Sequence, residues 1–172
     1  PFRASAVKDN LKRSNYSSTL GIETKMTNRA FRIIEIFDND KKFSEQDLLN
    51  AKFDNAYSEK SRSLKYLEDI LQNNFNDVEL KEAQNILSEW NLKTNLKNRS
   101  AALGVCIVSE EWLAFMNRDD APDAIDVFED CIQETKKSFG RADPMWSEVN
   151  FLMTKESSMG SLKNIVLVLK VS

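Results

Sequence analysis

The residue types in this chain that could do chemistry are an arginine, two cysteines and several carboxylates. Arg29 falls in the first turn of a predicted helix, where the positive end of the helix dipole disfavours a cation. It also follows a polar, irregular segment suited to border a cleft. An exposed arginine in a first turn is common, but these two features together make Arg29 the one charged residue that we single out as a candidate functional side chain.

The two cysteines, Cys106 and Cys131, lie 25 positions apart. This spacing excludes a CxxC metal or redox motif and allows at most one disulfide. Each cysteine falls on an apolar face of a predicted helix, with no neighbouring base or cation that would lower the pKa of a thiol. We therefore expect buried structural thiols rather than a nucleophile.

Adjacent carboxylates form three pairs: Glu110-Glu111, Asp119-Asp120 and Glu129-Asp130. Neighbouring residues on a helix point in different directions, so such a pair does not converge on one substrate. We expect all three pairs to lie on solvated helix faces.

A fourth acidic cluster, Asp38-Asn39-Asp40, precedes a predicted helix and resembles the opening of a calcium-binding loop. Such a loop needs an oxygen ligand at its fifth position and a glycine at its sixth. Those positions hold Lys42 and Phe43. The pattern therefore predicts a solvated turn between two helices.

Composition excludes several classes of site and partner. Apolar residues make up 41% and charged residues 30% of the 172 residues, so the chain is neither disordered by composition nor membrane-spanning. The absence of histidine excludes a Ser-His-Asp triad, a Cys-His dyad and an imidazole metal ligand. The 24 basic and 27 acidic residues are interspersed, without the basic stripe that a nucleic acid requires. We expect no nucleic-acid partner and no transmembrane helix.

The elements that must position these residues are predicted to be helices, because the chain has only 4 glycines and 3 prolines. Thr27 is a predicted N-cap for an apolar stripe that ends at Asp38. Ser44 begins a capping box, and Ser58 and Asp77 are predicted to cap two further helices.

The second half of the chain contains its most apolar segment, residues 101–116, which we expect to be the buried central helix. Pro122 suits the first position of a further helix, and Gly140 suits the position just after its end. The segment around Trp146 is predicted to be irregular, and residues 165–169 are predicted to form a strand. The expected fold class is mainly α.

Several phrases, taken in order, resemble the penicillin acylase (penicillin amidase) family of N-terminal nucleophile amidohydrolases. The phrases are Pro1-Phe2-Arg3-Ala4, Leu20-Gly21-Ile22-Glu23-Thr24, Met26-Thr27-Asn28-Arg29-Ala30, Lys52-Phe53-Asp54 with Tyr57-Ser58, Trp90-Asn91-Leu92-Lys93-Thr94 with Asn98-Arg99-Ser100-Ala101-Ala102-Leu103, Phe139-Gly140-Arg141-Ala142-Asp143, and Trp146-Ser147-Glu148-Val149-Asn150. The resemblance covers residues 1–153 and implies the helical part of the β chain. Residues 154–172 do not follow the family pattern and are left unassigned.

The resemblance implies a fold and a reaction. The helices would pack on the four-layered αββα core of the full protein. The enzyme would cleave linear N-acyl amides, such as a β-lactam side chain or an acyl-homoserine lactone, with an N-terminal Ser whose own α-amino group is the base. That Ser is absent from this chain, which begins at Pro1 without an initiator Met. We therefore expect a piece of a longer protein that is inactive alone.

The resemblance also assigns a role, partners and a compartment. Arg29 matches a family arginine that positions the oxyanion-binding Asn or the substrate. The implied partners are the acyl-amide substrate and the remaining α- and β-chain segments of the same pre-protein. No cofactor is implied, although a structural calcium ion in the full-length protein is compatible with the family. The implied compartment is the periplasm or the cell exterior. The alternative is a non-catalytic, all-α interaction module.

Overall fold

A computed structural model describes residues 17–20, 26–38 and 42–150, and it divides the chain into two compact units, Pro1–Arg62 and Ser63–Ser172. The first unit contains a 3-10 turn at Ser18–Leu20 and the helices α1 (Asn28–Phe37) and α2 (Glu45–Lys52). The second contains α3 (Leu64–Gln72), α4 (Val78–Ser88), α5 (Ala101–Asn117), α6 (Ala124–Phe139) and α7 (Trp146–Val149). The described residues form helices and no strand, which confirms the mainly-α fold class. The predicted strand at 165–169 and the segment from 154 onward lie outside the described residues.

The two helices of the first unit begin where local capping signals predict. The Thr27 hydroxyl accepts a hydrogen bond from the Ala30 N–H at 3.2 Å. Ser44 Oγ accepts from the Asp47 N–H at 3.2 Å, and the Asp47 carboxylate accepts from the Ser44 N–H at 2.9 Å. This reciprocal pair is the predicted capping box, and it satisfies two N–H groups that the first turn would otherwise leave unpaired.

Helix α2 is unusual because none of its residues is buried. Leu48 is 54% exposed and Leu49 is 41% exposed, and Phe53, which follows the helix, is 72% exposed. The ring of Phe43, just before the helix, packs edge-on against Phe37 at the end of α1, with centroids 4.8 Å apart. The apolar side chains of α2 itself are therefore left in contact with solvent.

The core of the second unit is built around α5, which packs against α3, α4, α6 and α7. Eight of its residues are buried, from Ala101 to Ala114. The side chains that are at most 1% exposed in this core include Ile70, Leu103, Ile107, Phe128 and Ile132. The prediction of a buried central helix at 101–116 is confirmed.

The two cysteines form a disulfide between α5 and α6, with the Cα atoms of Cys106 and Cys131 5.9 Å apart. The two cysteines are therefore structural, as expected, but they form the one disulfide that their number allows rather than two thiols. The expected burial is confirmed for Cys131, which is 2% exposed, whereas Cys106 is only half-buried. What the sequence did not show is that the two helix faces pack against each other, which brings the two sulfur atoms together.

Glu111 departs from the expectation that the paired carboxylates are solvated. Its side chain is 7% exposed on α5 and accepts a hydrogen bond from the Ser63 hydroxyl at 2.7 Å. A buried carboxylate needs such partners to offset the loss of hydration. The other two pairs, Asp119-Asp120 and Glu129-Asp130, are exposed as expected.

Two predicted helix starts are wrong. Ser58 does not cap a helix, because α3 begins later, at Leu64. Pro122 is not the first residue of α6: Asp123 is the N-cap, and its carboxylate accepts from the N–H groups of the first turn. The Pro122 carbonyl instead accepts a hydrogen bond from the Tyr66 hydroxyl. In both cases a partner that is distant in sequence uses the residue differently from the local pattern.

The end of α6 and the segment after it give one confirmed and one wrong prediction. Gly140 follows the helix with φ of 73°, a left-handed conformation that favours glycine. The segment around Trp146 is not irregular, since Trp146–Val149 forms one helical turn. The Glu148 carboxylate accepts from the Met145 N–H at 2.7 Å and from the Arg141 guanidinium. These bonds hold the pKa of Glu148 below its ordinary value.

The side chain of Asn98 shapes the loop that leads into α5. Its Oδ1 accepts from the N–H groups of Ser100 and Ala101, at 2.9 and 3.0 Å. Its amide group donates to Asn91 Oδ1 at 3.0 Å and to the Lys93 carbonyl at 2.9 Å. One amide thus caps the central helix and closes the preceding loop.

Gly104 on α5 is required by the ring of Trp90. A Cβ atom at position 104 would lie 2.1 Å from Trp90 Cε3, far inside van der Waals contact. We expect Gly104→Ala to lower the free energy of unfolding of this unit by about 1–3 kcal/mol, despite the better helix propensity of alanine. Tryptophan fluorescence during denaturation measures the effect, because all three tryptophans lie in this unit.

A double-mutant cycle with Trp90→Leu is the control for this prediction. If the clash causes the loss, Trp90→Leu should cost less in the Gly104→Ala protein than in the wild type. Costs that simply add would contradict the packing explanation.

Candidate functional site

Arg29 is the second residue of α1, as the cap at Thr27 predicts. Its side chain is exposed. Its Nη1 donates a hydrogen bond to the main-chain carbonyl of Asp54 at 3.4 Å. The residue singled out from the sequence therefore lies in the first turn of α1 beside the segment that follows α2.

Arg32, one turn further along α1, forms a two-bond ion pair with Asp54. Arg32 Nε donates to Asp54 Oδ2 at 2.9 Å and Arg32 Nη2 to Asp54 Oδ1 at 2.7 Å. The two side chains are 22% and 17% exposed, so solvent only partly screens the pair. This fork-to-carboxylate geometry fixes both groups in orientation as well as in distance. Sequence reasoning did not identify this pair.

A second set of bonds continues from Arg32. Its remaining terminal nitrogen, Nη1, donates to Glu35 Oε2 at 2.8 Å, and the other Glu35 oxygen accepts from the Ser58 hydroxyl. Ser58 is fully buried, and its N–H donates to Asn28 Oδ1 at 2.7 Å. Ser58, predicted to be a helix cap, instead ties the segment after α2 to the side of α1. We call these residues, with Arg32 and Asp54, the α1 polar network.

The electrostatics of the network keep Arg32 and Asp54 charged. The two hydrogen bonds from Arg32 hold the pKa of the Asp54 carboxyl below its ordinary value, and the nearby charge of Arg29 acts in the same direction. The bonds to Asp54, with a further one to Glu35, raise the pKa of Arg32. Asp54 is therefore a fixed anion at neutral pH, suited to hold a cation rather than to exchange a proton.

Arg29 and Arg32 differ in what they can offer to a ligand. Among the described residues, the only hydrogen bond of the Arg29 side chain is the one to the Asp54 carbonyl. A guanidinium carries five N–H donors, so Arg29 keeps donors directed to solvent. In Arg32, by contrast, each of the three nitrogens already donates to Asp54 or Glu35. The exposed fork of Arg29 can therefore bind or orient a carbonyl or carboxylate oxygen.

An open cleft of about 320 Å³ also lies in the first unit. It is lined by Ile36, Lys42, Phe43, Asp47, Asn50, Ala51 and Asp54. Arg29 is not among the lining residues. Two of the carboxylates already have partners within the unit, Asp47 in the capping box and Asp54 with Arg32. Both carboxylates that line the cleft are therefore engaged within the protein.

Two further properties concern metals and membranes. Within residues 17–20, 26–38 and 42–150, no three His, Cys, Asp or Glu side chains are grouped so as to hold a metal ion. Asn39 and Asp40 of the calcium-like pattern lie outside those ranges. Of the described helices, none has both the length and the apolar character needed to cross a bilayer.

Comparison with known proteins gives one family. The model of the penicillin amidase family matches residues 4–165. The match therefore includes Arg29 and every member of the α1 polar network, and it continues beyond Met153. A comparison with individual curated proteins finds no match.

Proposed function

The chain belongs to the penicillin amidase family, a family of amide hydrolases, and on that basis we propose that it is the helical part of the β chain of an N-terminal nucleophile amidohydrolase. The observation that carries the proposal is the family match over residues 4–165. In this proposal residues 1–153 are the helical part, and no function is assigned to residues 154–172.

The proposed reaction is hydrolysis of a linear N-acyl amide, such as the side-chain amide of a β-lactam or an acyl-homoserine lactone. The hydroxyl oxygen of an N-terminal Ser, outside this chain, attacks the carbonyl carbon while its proton passes to the Ser α-amino group. The C–N bond of the tetrahedral intermediate then breaks, and the amine leaves with that proton. Water hydrolyses the acyl-enzyme, which releases the acid and regenerates the Ser.

Arg29 is the residue of this chain to which we assign a part in that reaction. Its role is to position the Asn that binds the oxyanion, or to position the substrate itself. Three observations support the role: its place in the first turn of α1, its exposed fork, and its bond to the Asp54 carbonyl. A planar fork orients an amide or carboxylate oxygen better than the point charge of lysine does.

The proposed partners are the remaining α- and β-chain segments of the same pre-protein, together with the acyl-amide substrate. Exposed apolar side chains support this proposal in each unit. Leu48 and Phe53 are 54% and 72% exposed in the first unit, and Val78 and Met116 are 70% and 52% exposed in the second. Helix α2 in particular has no buried residue, as expected of a helix whose packing partner belongs to another segment.

The proposed location is the periplasm or the cell exterior. The disulfide between Cys106 and Cys131 supports it, because such bonds persist in oxidising compartments.

The test is to assay amide hydrolysis by the longer protein that carries this chain and by the isolated 172 residues. Penicillin G and an acyl-homoserine lactone are suitable substrates, with the released amine as the readout. We expect hydrolysis by the longer protein only, and dye binding to exposed apolar surface by the isolated chain. A longer protein that hydrolyses no linear amide, or hydrolysis by the 172 residues alone, would contradict the proposal. If the isolated chain binds no dye and unfolds cooperatively, the result would favour the non-catalytic interaction module.

A further inference from the structure

We propose that Asp54 is a positioning residue for Arg29. The two hydrogen bonds from Arg32 to the Asp54 carboxylate hold in place the Asp54 main-chain carbonyl, which accepts a hydrogen bond from Arg29. This inference deepens the proposed function and rests on it, since Arg29 must act in the reaction for its positioning to matter. In this proposal the ion pair between Arg32 and Asp54 affects kcat only through Arg29, without contacting the substrate.

The Asp54 carboxylate and the Asp54 main-chain carbonyl are connected through one residue. Arg32 forms two parallel bonds to the carboxylate, at 2.7 and 2.9 Å, which fix both its position and its plane. The side chain and the carbonyl are joined to the same Cα atom. Immobilising the carboxylate therefore restrains the carbonyl oxygen, which lies 3.4 Å from Arg29 Nη1.

The other end of the same short segment is also anchored on α1. Ser58 is held through its N–H by Asn28 and through its hydroxyl by Glu35. Asn28, Arg32 and Glu35 are spaced i, i+4 and i+7, so they share one face of the helix. The segment 54–58 is thus fixed at both ends to the helix that carries Arg29.

The two arginines differ in how their side chains are held. Each of the three nitrogens of Arg32 already donates to Asp54 or Glu35, so three of its five N–H groups are engaged within the protein. Arg29 has exposed donors but, among the described residues, a single protein bond to hold it. A long side chain with so little support samples many rotamers, so the carbonyl that Arg32 fixes in place decides how often Arg29 points in the productive direction.

The test is a double-mutant cycle in the mature enzyme that contains this chain, with kcat and KM measured for a chromogenic N-acyl anilide. We expect Asp54→Asn to lower kcat by about tenfold, since misplacing a group by a fraction of an ångström has effects of this order. We expect Arg29→Ala to lower kcat by about a hundredfold. In the Arg29→Ala background, Asp54→Asn should then change kcat by less than about twofold, because the side chain that it positions is gone.

The matched control is Asp143→Asn, which also removes an Arg–Asp ion pair, the one between Arg99 and Asp143. It should leave kcat within about twofold of the wild type, since this partly exposed pair lies in the other unit. If Asp54→Asn does not mature, Arg32→Lys tests the same contact, because lysine keeps the charge but cannot form the two parallel bonds.

The outcomes separate the inference from the function on which it rests. The positioning role alone would be overturned if Asp54→Asn lowered kcat by the same factor with and without Arg29. It would also be overturned if Asp54→Asn left kcat unchanged while Arg29→Ala lowered it. An Arg29→Ala enzyme with wild-type kcat would overturn the role of Arg29, and the inference with it.

Discussion

Replacing Arg29 with lysine is expected to lower kcat/KM of the mature enzyme for linear N-acyl amides by about a hundredfold, the size of effect seen when one oxyanion-stabilising group is lost. The charge is kept, so a purely electrostatic role would be nearly preserved. What is lost is the planar fork, which can hold the Asp54 carbonyl with one nitrogen and orient an amide or substrate oxygen with another. Steady-state kinetics on the purified variant measure the effect.

Arg118→Lys is the matched control, because Arg118 is also exposed and lies at the end of a helix, α5. It should retain wild-type kcat/KM. An Arg29→Lys enzyme that is as active as this control would contradict the role assigned to the guanidinium fork.

Removing the disulfide should have the largest effect on stability. The bond closes a loop of 25 positions between Cys106 and Cys131, and the chain-entropy relation for a loop of this length gives about 3.5 kcal/mol. We expect Cys106→Ala/Cys131→Ala to lower the free energy of unfolding of the second unit by about that amount. Because Cys131 is 2% exposed, the smaller side chains also leave a small cavity. Denaturation followed by tryptophan fluorescence gives the change in midpoint.

A reductant provides the control for this prediction. It should lower the midpoint of the wild type toward that of the double variant, with the cavity of the alanine side chains as the remaining difference, and leave the double variant unchanged. A wild-type midpoint that does not respond to reductant under denaturing conditions would contradict a stabilising disulfide.

The sequence predicted those parts of the fold that depend on neighbouring residues. Thr27, Ser44 and Asp77 each cap a helix, and in each case the hydroxyl or carboxylate accepts from an N–H three residues ahead. The central helix is predictable because residues 101–116 are the most apolar segment of the chain, which is typical of a buried helix. Such signals involve a single turn or a single element, so no knowledge of the tertiary structure is needed to interpret them.

The wrong predictions involve partners that are far apart along the chain. Ser58 follows the local rule for a cap, but its hydroxyl is used by Glu35, 23 residues earlier. Glu111 follows the rule for a solvated helix face, but Ser63, 48 residues earlier, donates to it inside the core. The disulfide likewise depends on which faces of α5 and α6 meet. These pairings are decided by packing between elements, about which periodicity gives no information.

In the candidate site, too, the local feature was predictable from the sequence and the long-range contact was not. Arg29 was found from its place at a helix start and from the family resemblance, and the structure places it there. Arg32 and Asp54 were missed because they are 22 residues apart. A signal was present: Asn28, Arg32 and Glu35 make one polar face on a helix whose other side is apolar. That face predicts a polar partner, but not which segment supplies it.

The most direct test of the account is to read the coding DNA on the upstream side of this segment. If the chain is the helical part of an amidohydrolase β chain, the open frame continues before Pro1 and encodes the oxyanion-binding Asn, which the family resemblance implies to lie a few residues upstream. Further upstream it encodes a Ser at an autocleavage junction. A stop codon and a start site that adjoin Pro1 would contradict the account, because neither the nucleophile nor the Asn that Arg29 is proposed to position would then exist.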